Sequence, residues 1–208
     1  MRLCYGTEDT GYRCTMSNRQ MAVDLKINET TYTIPTEWSE VTVGQYIALC
    51  ENTTDLSAAR LLSIFTGISY DVLVNMPIEH FNLVVLPELN FFTTEWNPFQ
   101  EGRKKTITIG KYEFDTIEDP SRERLGQKLF LQQLVNKAIS ESVPHYNLIC
   151  PVIACYYAPF VHPEKKWEEK HVMQFAKLVE NATIAEAYPE ANFFLNGYMT
   201  YLPKKATS

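Results

Sequence analysis

Apolar and polar side chains alternate from Val23 onward. Val23, Leu25 and Ile27 interleave with Asp24, Lys26 and Asn28, and Tyr32 and Ile34 resume the rhythm after a turn. A period of two predicts a short hairpin with one buried face, stopped by Pro35. The period then lengthens. Thr42-Val43-Gly44-Gln45 fits a capping box, in which the Thr hydroxyl and the Gln amide occupy amides that a helix start leaves unpaired. Tyr46, Ile47, Leu49 and Cys50 form the apolar side of the helix it opens. Asp55 is placed to cap a second helix carrying Ala58, Leu61, Leu62 and Phe65, and Gly67 to end it. Ser69 opens a short helix that ends before Pro77. Residues 78–92 read as helical, with a break at Pro87.

Residues 93–105 are polar, contain Pro98 and Gly102, and mark a boundary. Beyond it a second hairpin alternates from Thr106 to Phe114, with Gly110-Lys111 at the turn. Asp119-Pro120 is a good helix start, because proline at the first helical position gives up no needed amide. The helix predicted there runs to about Ser142, with Leu125, Leu129, Leu134, Ala138 and Ile139 as its stripe. A proline-broken helical segment covers 147–160. A charged amphipathic helix covers 164–180, with Trp167, Phe175 and Leu178. Thr183 and Glu186 read as another capping box, opening a last helix with Phe193, Phe194 and Leu195.

The pattern therefore predicts an α+β, mainly helical protein of two β-hairpin-then-helix units, each followed by further helices. The segments are a tail at 1–20, a first half at 21–92, a linker at 93–105 and a second half at 106–208. Residues 1–20 lack periodicity, so they are expected to be disordered, or translation starts at Met21. The halves echo each other: Tyr32 matches Tyr112, and Val43-Gly44-Gln45 matches Leu125-Gly126-Gln127.

Composition narrows the function. Apolar residues make up 45% and charged residues 21%, which suits a packed globular chain and excludes disorder throughout. The net charge of −6 gives a polyanion no long-range attraction, so nucleic acid is not an expected partner. The short clusters Arg103-Lys104-Lys105 and Lys204-Lys205 read as solvated. Cysteines at 4, 14, 50, 150 and 155 are odd in number and irregular in spacing, which fits reduced thiols in a cytoplasm. The start of the chain has no apolar core of a signal peptide. The apolar run from Leu148 to Phe160 is broken by prolines and falls short of the ~20 residues that span a bilayer. No membrane association is expected.

Chemistry is sparse. The phosphate-binding glycine loops and the nucleophile elbow are missing from the sequence. His145, Cys150, Cys155, His162 and His171 are the one group worth weighing for metal. Zinc sites favour ligands two to four residues apart on a tight turn, whereas these cysteines stand five apart and flank the apolar run Pro151-Val152-Ile153-Ala154. They read as packed cysteines and surface histidines. Glu164, Glu168 and Glu169 among Lys165, Lys166 and Lys170 read as a solvated helix face. No catalytic residue, metal ligand or cofactor is assigned, and the chain is expected not to be an enzyme. What remains is interaction surface. Phe91, Phe92, Trp96 and Phe99 cluster near the boundary, and Tyr188, Phe193, Phe194 and Tyr198 near the end, as candidate partner-binding residues or as core.

The stretch from Tyr32-Thr33-Ile34-Pro35-Thr36-Glu37-Trp38 to Val43-Gly44-Gln45-Tyr46 resembles small proteins from the structural-gene regions of tailed bacteriophages, including tail assembly chaperones. Leu62-Ser63-Ile64-Phe65-Thr66-Gly67-Ile68-Ser69 and Glu186-Ala187-Tyr188-Pro189-Glu190-Ala191-Asn192-Phe193-Phe194-Leu195 are similar to segments of the same group. Together they cover about a fifth of the chain. The resemblance implies a non-enzymatic assembly role in the cytoplasm of the bacterial host. Its partner would be a phage tail or other structural protein, offered an apolar or aromatic groove. A virion component (connector, baseplate or tail piece) is the alternative it implies. A second copy of the chain is a further candidate partner. An enzyme or an enzyme regulator is the distant rival.

Overall fold

A computed structural model describes residues 12–16, 23–27, 29–52, 54, 57–93, 102–119, 124–161 and 166–201. The protein is α+β and mainly helical. It divides into two compact units, one made of Met1–Val41 with Ala48–Trp96, the other of Thr42–Ile47 with Asn97–Ser208.

In the first unit, β1 (Tyr12–Met16), β2 (Val23–Ile27) and β3 (Thr30–Ile34) form an antiparallel sheet in that order. The alternation sets the register: Leu25 sits opposite Tyr32, and Val23 opposite Ile34. Leu25, Ile27 and Ile34 are buried, while Thr33 on the outer face donates to its cross-strand neighbour Asp24 at 3.0 Å. Within the segment expected to be a tail, Tyr12–Met16 pairs with β2 as an edge strand, and the rest of 1–20 lies outside the described residues. Five residues are too few for periodicity to stand out, and the pairing comes from β2's second edge.

The helix α2 (Ala58–Thr66) buries Leu61, Leu62 and Phe65. Ser57 caps it by accepting the Arg60 N–H; Asp55, the expected cap, lies outside the described residues. Gly67 ends it at φ 73°, a left-handed conformation that glycine adopts without a Cβ clash. Beyond α3 (Tyr70–Val74) and α4 (Ile78–His80), the winding widens to a π-turn over Phe81–Val85 and tightens to a 3-10 stretch over Leu86–Thr93. Pro87 stands at that change. Its ring cannot follow a regular α-turn, and it brings no N–H.

In the second unit, β4 (Thr106–Ile109) and β5 (Tyr112–Asp115) pair around Gly110 at φ 59°. The helix α6 (Ile149–Val161) packs against α5 (Leu125–Glu141), α7 (Glu169–Val179) and α8 (Ile184–Tyr201). Every residue of α6 from Ile149 to Tyr157 is buried, which is why its sequence shows no polar face.

The helix α1 (Val43–Glu51) begins in this second unit, although the sequence places 42–47 in the first half. Hydrogen bonding supplies the reason. Val43 N–H donates to Ala182 O and Gly44 N–H to Glu180 O, both at 2.9 Å. Gln45 N–H donates to Thr42 Oγ1, and Thr42 N–H to Gln45 Oε1, so the expected capping box forms. All the amides that this helix start leaves open are thus occupied.

Candidate functional site

The second predicted capping box does not form. Thr183 Oγ1 is buried without a hydrogen-bond partner among the described residues, and Glu186 turns instead to β4. Its carboxylate accepts from Lys104 Nζ at 3.0 Å and from the Thr108 N–H at 3.2 Å, which occupies an edge-strand amide. One turn later, Glu190 takes Arg103 in a two-pronged pair, Nε to Oε2 at 2.6 Å and Nη2 to Oε1 at 2.9 Å. Glu190 is 1% exposed. Arg103 and Lys104, expected to be solvated, are therefore held by α8.

This network closes on itself. Tyr157 OH donates to Glu190 Oε1 at 2.6 Å, Ile117 N–H donates to Tyr157 OH, and Arg103 Nη2 donates to Ile117 O at 2.8 Å. The Arg103 guanidinium also lies 3.6 Å from the centroid of the Phe193 ring. Burial, then the Glu190 acceptor and its charge, hold the Tyr157 phenol above its ordinary range, against the Ile117 N–H and Arg103. Each of these groups is engaged in holding the β4–β5 hairpin to α6 and α8. The i,i+4 pair Glu186 and Glu190 beneath two consecutive cations was the signal available in sequence.

The aromatic candidates divide. Tyr188, Phe194 and Tyr198 are buried, and Phe193 is half-buried beneath Arg103. Phe194 stacks on Tyr156 at 3.7 Å between centroids. Tyr188, Phe194 and Tyr198 are corrected to core: Phe194 packs on Tyr156 and Tyr157 of α6, Tyr188 on His145, and Tyr198 is buried. Phe91 and Phe92 are half-buried and close on Trp38 at 5.6 and 5.7 Å. Trp96 and Phe99 lie outside the described residues.

Of the residues weighed for metal, Cys150 and Cys155 are buried in α6, and burial with the charge of Glu180 pushes the Cys150 thiol up to about 12. His145 packs on Tyr188, His171 lies on α7, and His162 is outside the described residues. Among the described residues no group of three or more His, Cys, Asp or Glu is arranged to hold a metal.

A cleft of about 180 Å³ opens beside α7, with Tyr112, Trp167 and Phe175 as walls and Arg124, Lys166 and His171 at its polar side. It is smaller than the roughly 300–1,000 Å³ typical of small-molecule sites.

The outward side of α5 is different. The stripe expected for its core is corrected: Leu125, Leu129 and Ile139 are 72%, 49% and 66% exposed. Ala138 is buried as expected and Leu134 half-buried, while Gln127, Phe130, Leu131 and Val135 supply the rest of the inward side. The helix also starts at Leu125, after a cap in which Arg124 N–H donates to Gln127 Oε1 at 2.7 Å; Pro120 lies outside the described residues. With apolar residues on two opposite sides, the outward leucines hid the true orientation. Among the described residues no helix is long and apolar enough to cross a membrane. Comparison with protein-family models, with curated proteins and with solved structures finds no match to this chain.

Proposed function

We propose that the chain is a non-catalytic assembly protein of a tailed bacteriophage, a tail assembly chaperone that holds an amphipathic helix of a tail protein along α5. The observation that carries this reading is the second apolar side of α5. Leu125, Leu129 and Ile139 point away from the unit's own core, on a helix of 17 residues long enough to receive a partner helix. Burying what each still exposes against a partner would contribute about 1–2 kcal/mol, less the cost of association. The closed state of the Arg103–Glu190–Tyr157 network, and the sequence resemblance around Gly44-Gln45, support it further. It acts in the host cytoplasm during assembly.

The test is affinity capture of the tagged chain from infected cells, together with a search for the chain in purified particles. Recovery of a tail protein, with the chain missing from particles, fits the chaperone. Retention in particles assigns the chain to the virion as a connector, baseplate or tail piece. Capture of no phage protein removes the assembly reading.

A further inference from the structure

We propose that the cleft beside α7 binds an aromatic ring that carries a carboxylate, at a site separate from the outward side of α5. Three rings make its apolar walls. Tyr112 comes from β5 and Phe175 from α7, with ring centroids 6.4 Å apart. Trp167 stands just before α7, and α5 sets its place. Its indole lies against Gly126, where a β-carbon would come within 2.7 Å of Cε3, and its ring centroid is 5.9 Å from that of Phe130. Pro159 and Leu178 add to the apolar lining. Aromatic walls favour an aromatic guest, because ring pairs gain from offset and edge-to-face contact beyond the area they bury. The volume of about 180 Å³ keeps that guest small.

The charged groups select the guest's polar end. Arg124 and Lys166 line the cleft, both are exposed, and neither has an acid partner among the described residues. Glu168 is the one acid among the described residues of the lining. It lies 3.9 Å from His171 Nδ1 and pairs with neither cation. Two cations against one acid leave the lining positive on a chain whose net charge is −6. A guanidinium also presents a planar fork that matches a carboxylate through two parallel hydrogen bonds, and it offers an ammonium nothing. The two ends of the guest thus meet different residues. The ring meets Tyr112, Trp167 and Phe175, and the carboxylate meets Arg124 and Lys166.

Ligand-observed NMR titration of the full chain tests this with three probes of similar shape: phenylacetate, phenylacetamide and phenethylamine. Phenylacetate is expected to bind with a Kd of about 1 mM or tighter, about tenfold or more ahead of the amide and further ahead of the amine. Arg124→Gln with Lys166→Gln should erase the lead of the carboxylate. Lys128→Gln with Lys137→Gln, at cations of α5 outside the lining, should leave it intact. Leu178→Trp, which fills the cleft, should abolish binding of all three probes. Circular dichroism and the urea midpoint should stay unchanged in the two glutamine variants. No saturation by phenylacetate up to about 10 mM, equal binding of acid and amide, or a lead that survives Arg124→Gln with Lys166→Gln overturns the proposal. A short peptide ending in phenylalanine, with its terminus free or amidated, distinguishes the source. Tighter binding of the free-ended peptide than of phenylacetate supports the site with a chain end as its ligand; phenylacetate binding without peptide binding supports a free aryl acid. Neither result depends on capture of a phage protein, so the assembly reading stands or falls separately.

Discussion

Gln127 and Cys155 hold each other twice. Gln127 Nε2 donates to Cys155 O at 2.8 Å, and the Cys155 thiol reaches back to Gln127 O at 3.7 Å. The bond answers a local defect. Pro159 lies inside α6 and has no N–H, so the carbonyl four residues earlier, that of Cys155, loses its helical donor. The buried amide of Gln127 takes that place while its oxygen caps α5.

A double-mutant cycle checks this account. Gln127→Leu removes the donor to Cys155 O and the acceptor of the Arg124 amide, and is expected to cost about 1–3 kcal/mol. In a Pro159→Ala background, the restored N–H satisfies Cys155 O, and the cost should fall by about 1 kcal/mol or more. Urea denaturation of the four chains reads it out, and strict additivity would contradict the proline account.

Gly126 and Gly44 occupy matching places in the two helix starts, and both are close to other backbone or ring atoms. A β-carbon on Gly126 would lie 2.7 Å from Trp167 Cε3, and one on Gly44 would lie 3.3 Å from Glu180 O. Gly126→Ala should destabilise by about 1–3 kcal/mol through displacement of the indole, less up to about 1 kcal/mol from better helix propensity. Gly44→Ala should cost less. Equal urea midpoints for the two variants would contradict this ranking.

The Arg103–Glu190 pair should show the asymmetry of buried charges. Glu190→Ala strands a guanidinium and a phenol, and is expected to cost about 3–5 kcal/mol. Tyr157→Phe removes one hydrogen bond to a charged acceptor and should cost about 1.5–3 kcal/mol. Lys104→Ala, at an exposed pair, should change stability by less than about 1 kcal/mol. Thermal or urea unfolding of the three variants gives the order directly.

The two sides of α5 should separate in the same assay. Phe130→Ala and Leu131→Ala remove core and are expected to cost about 2–5 kcal/mol. Leu125→Ala and Ile139→Ala should stay within about 0.5 kcal/mol of the unaltered chain. Large losses at 125 and 139 would restore the stripe read from sequence.

Alkali should destabilise the fold. Burial raises both Tyr157 and Cys150, the latter from 9.0 to about 12. Above the unfolded values, the folded chain keeps protons that the unfolded chain has released. Stability is therefore full below about pH 8 and declines as pH climbs through the unfolded thiol and phenol ranges, by up to about 1.4 kcal/mol per unit for each group. Urea midpoints at about pH 8 and about pH 10.5 should differ accordingly, and Cys150→Ala should lessen the difference.

Sequence by itself determined the local structure of this protein. The hairpins at Ile27–Thr30 and Ile109–Tyr112, the Thr42–Gln45 cap and the Gly67 stop all follow from alternation, side-chain reach and backbone freedom within a few residues. The echo between the halves lies partly in these caps, for Gln45 and Gln127 each reach back to the amide three residues before. It fails in the hairpins, where Tyr32 stands opposite Leu25 and Tyr112 beside its turn opposite Ile109. Tertiary structure alone decided which side of α5 is buried, because a helix with leucines all round has no preferred face until a neighbour supplies one. It also decided where Glu186 and Glu190 point and which unit owns Thr42–Ile47. Those choices depend on partners far along the chain, and periodicity carries no record of them.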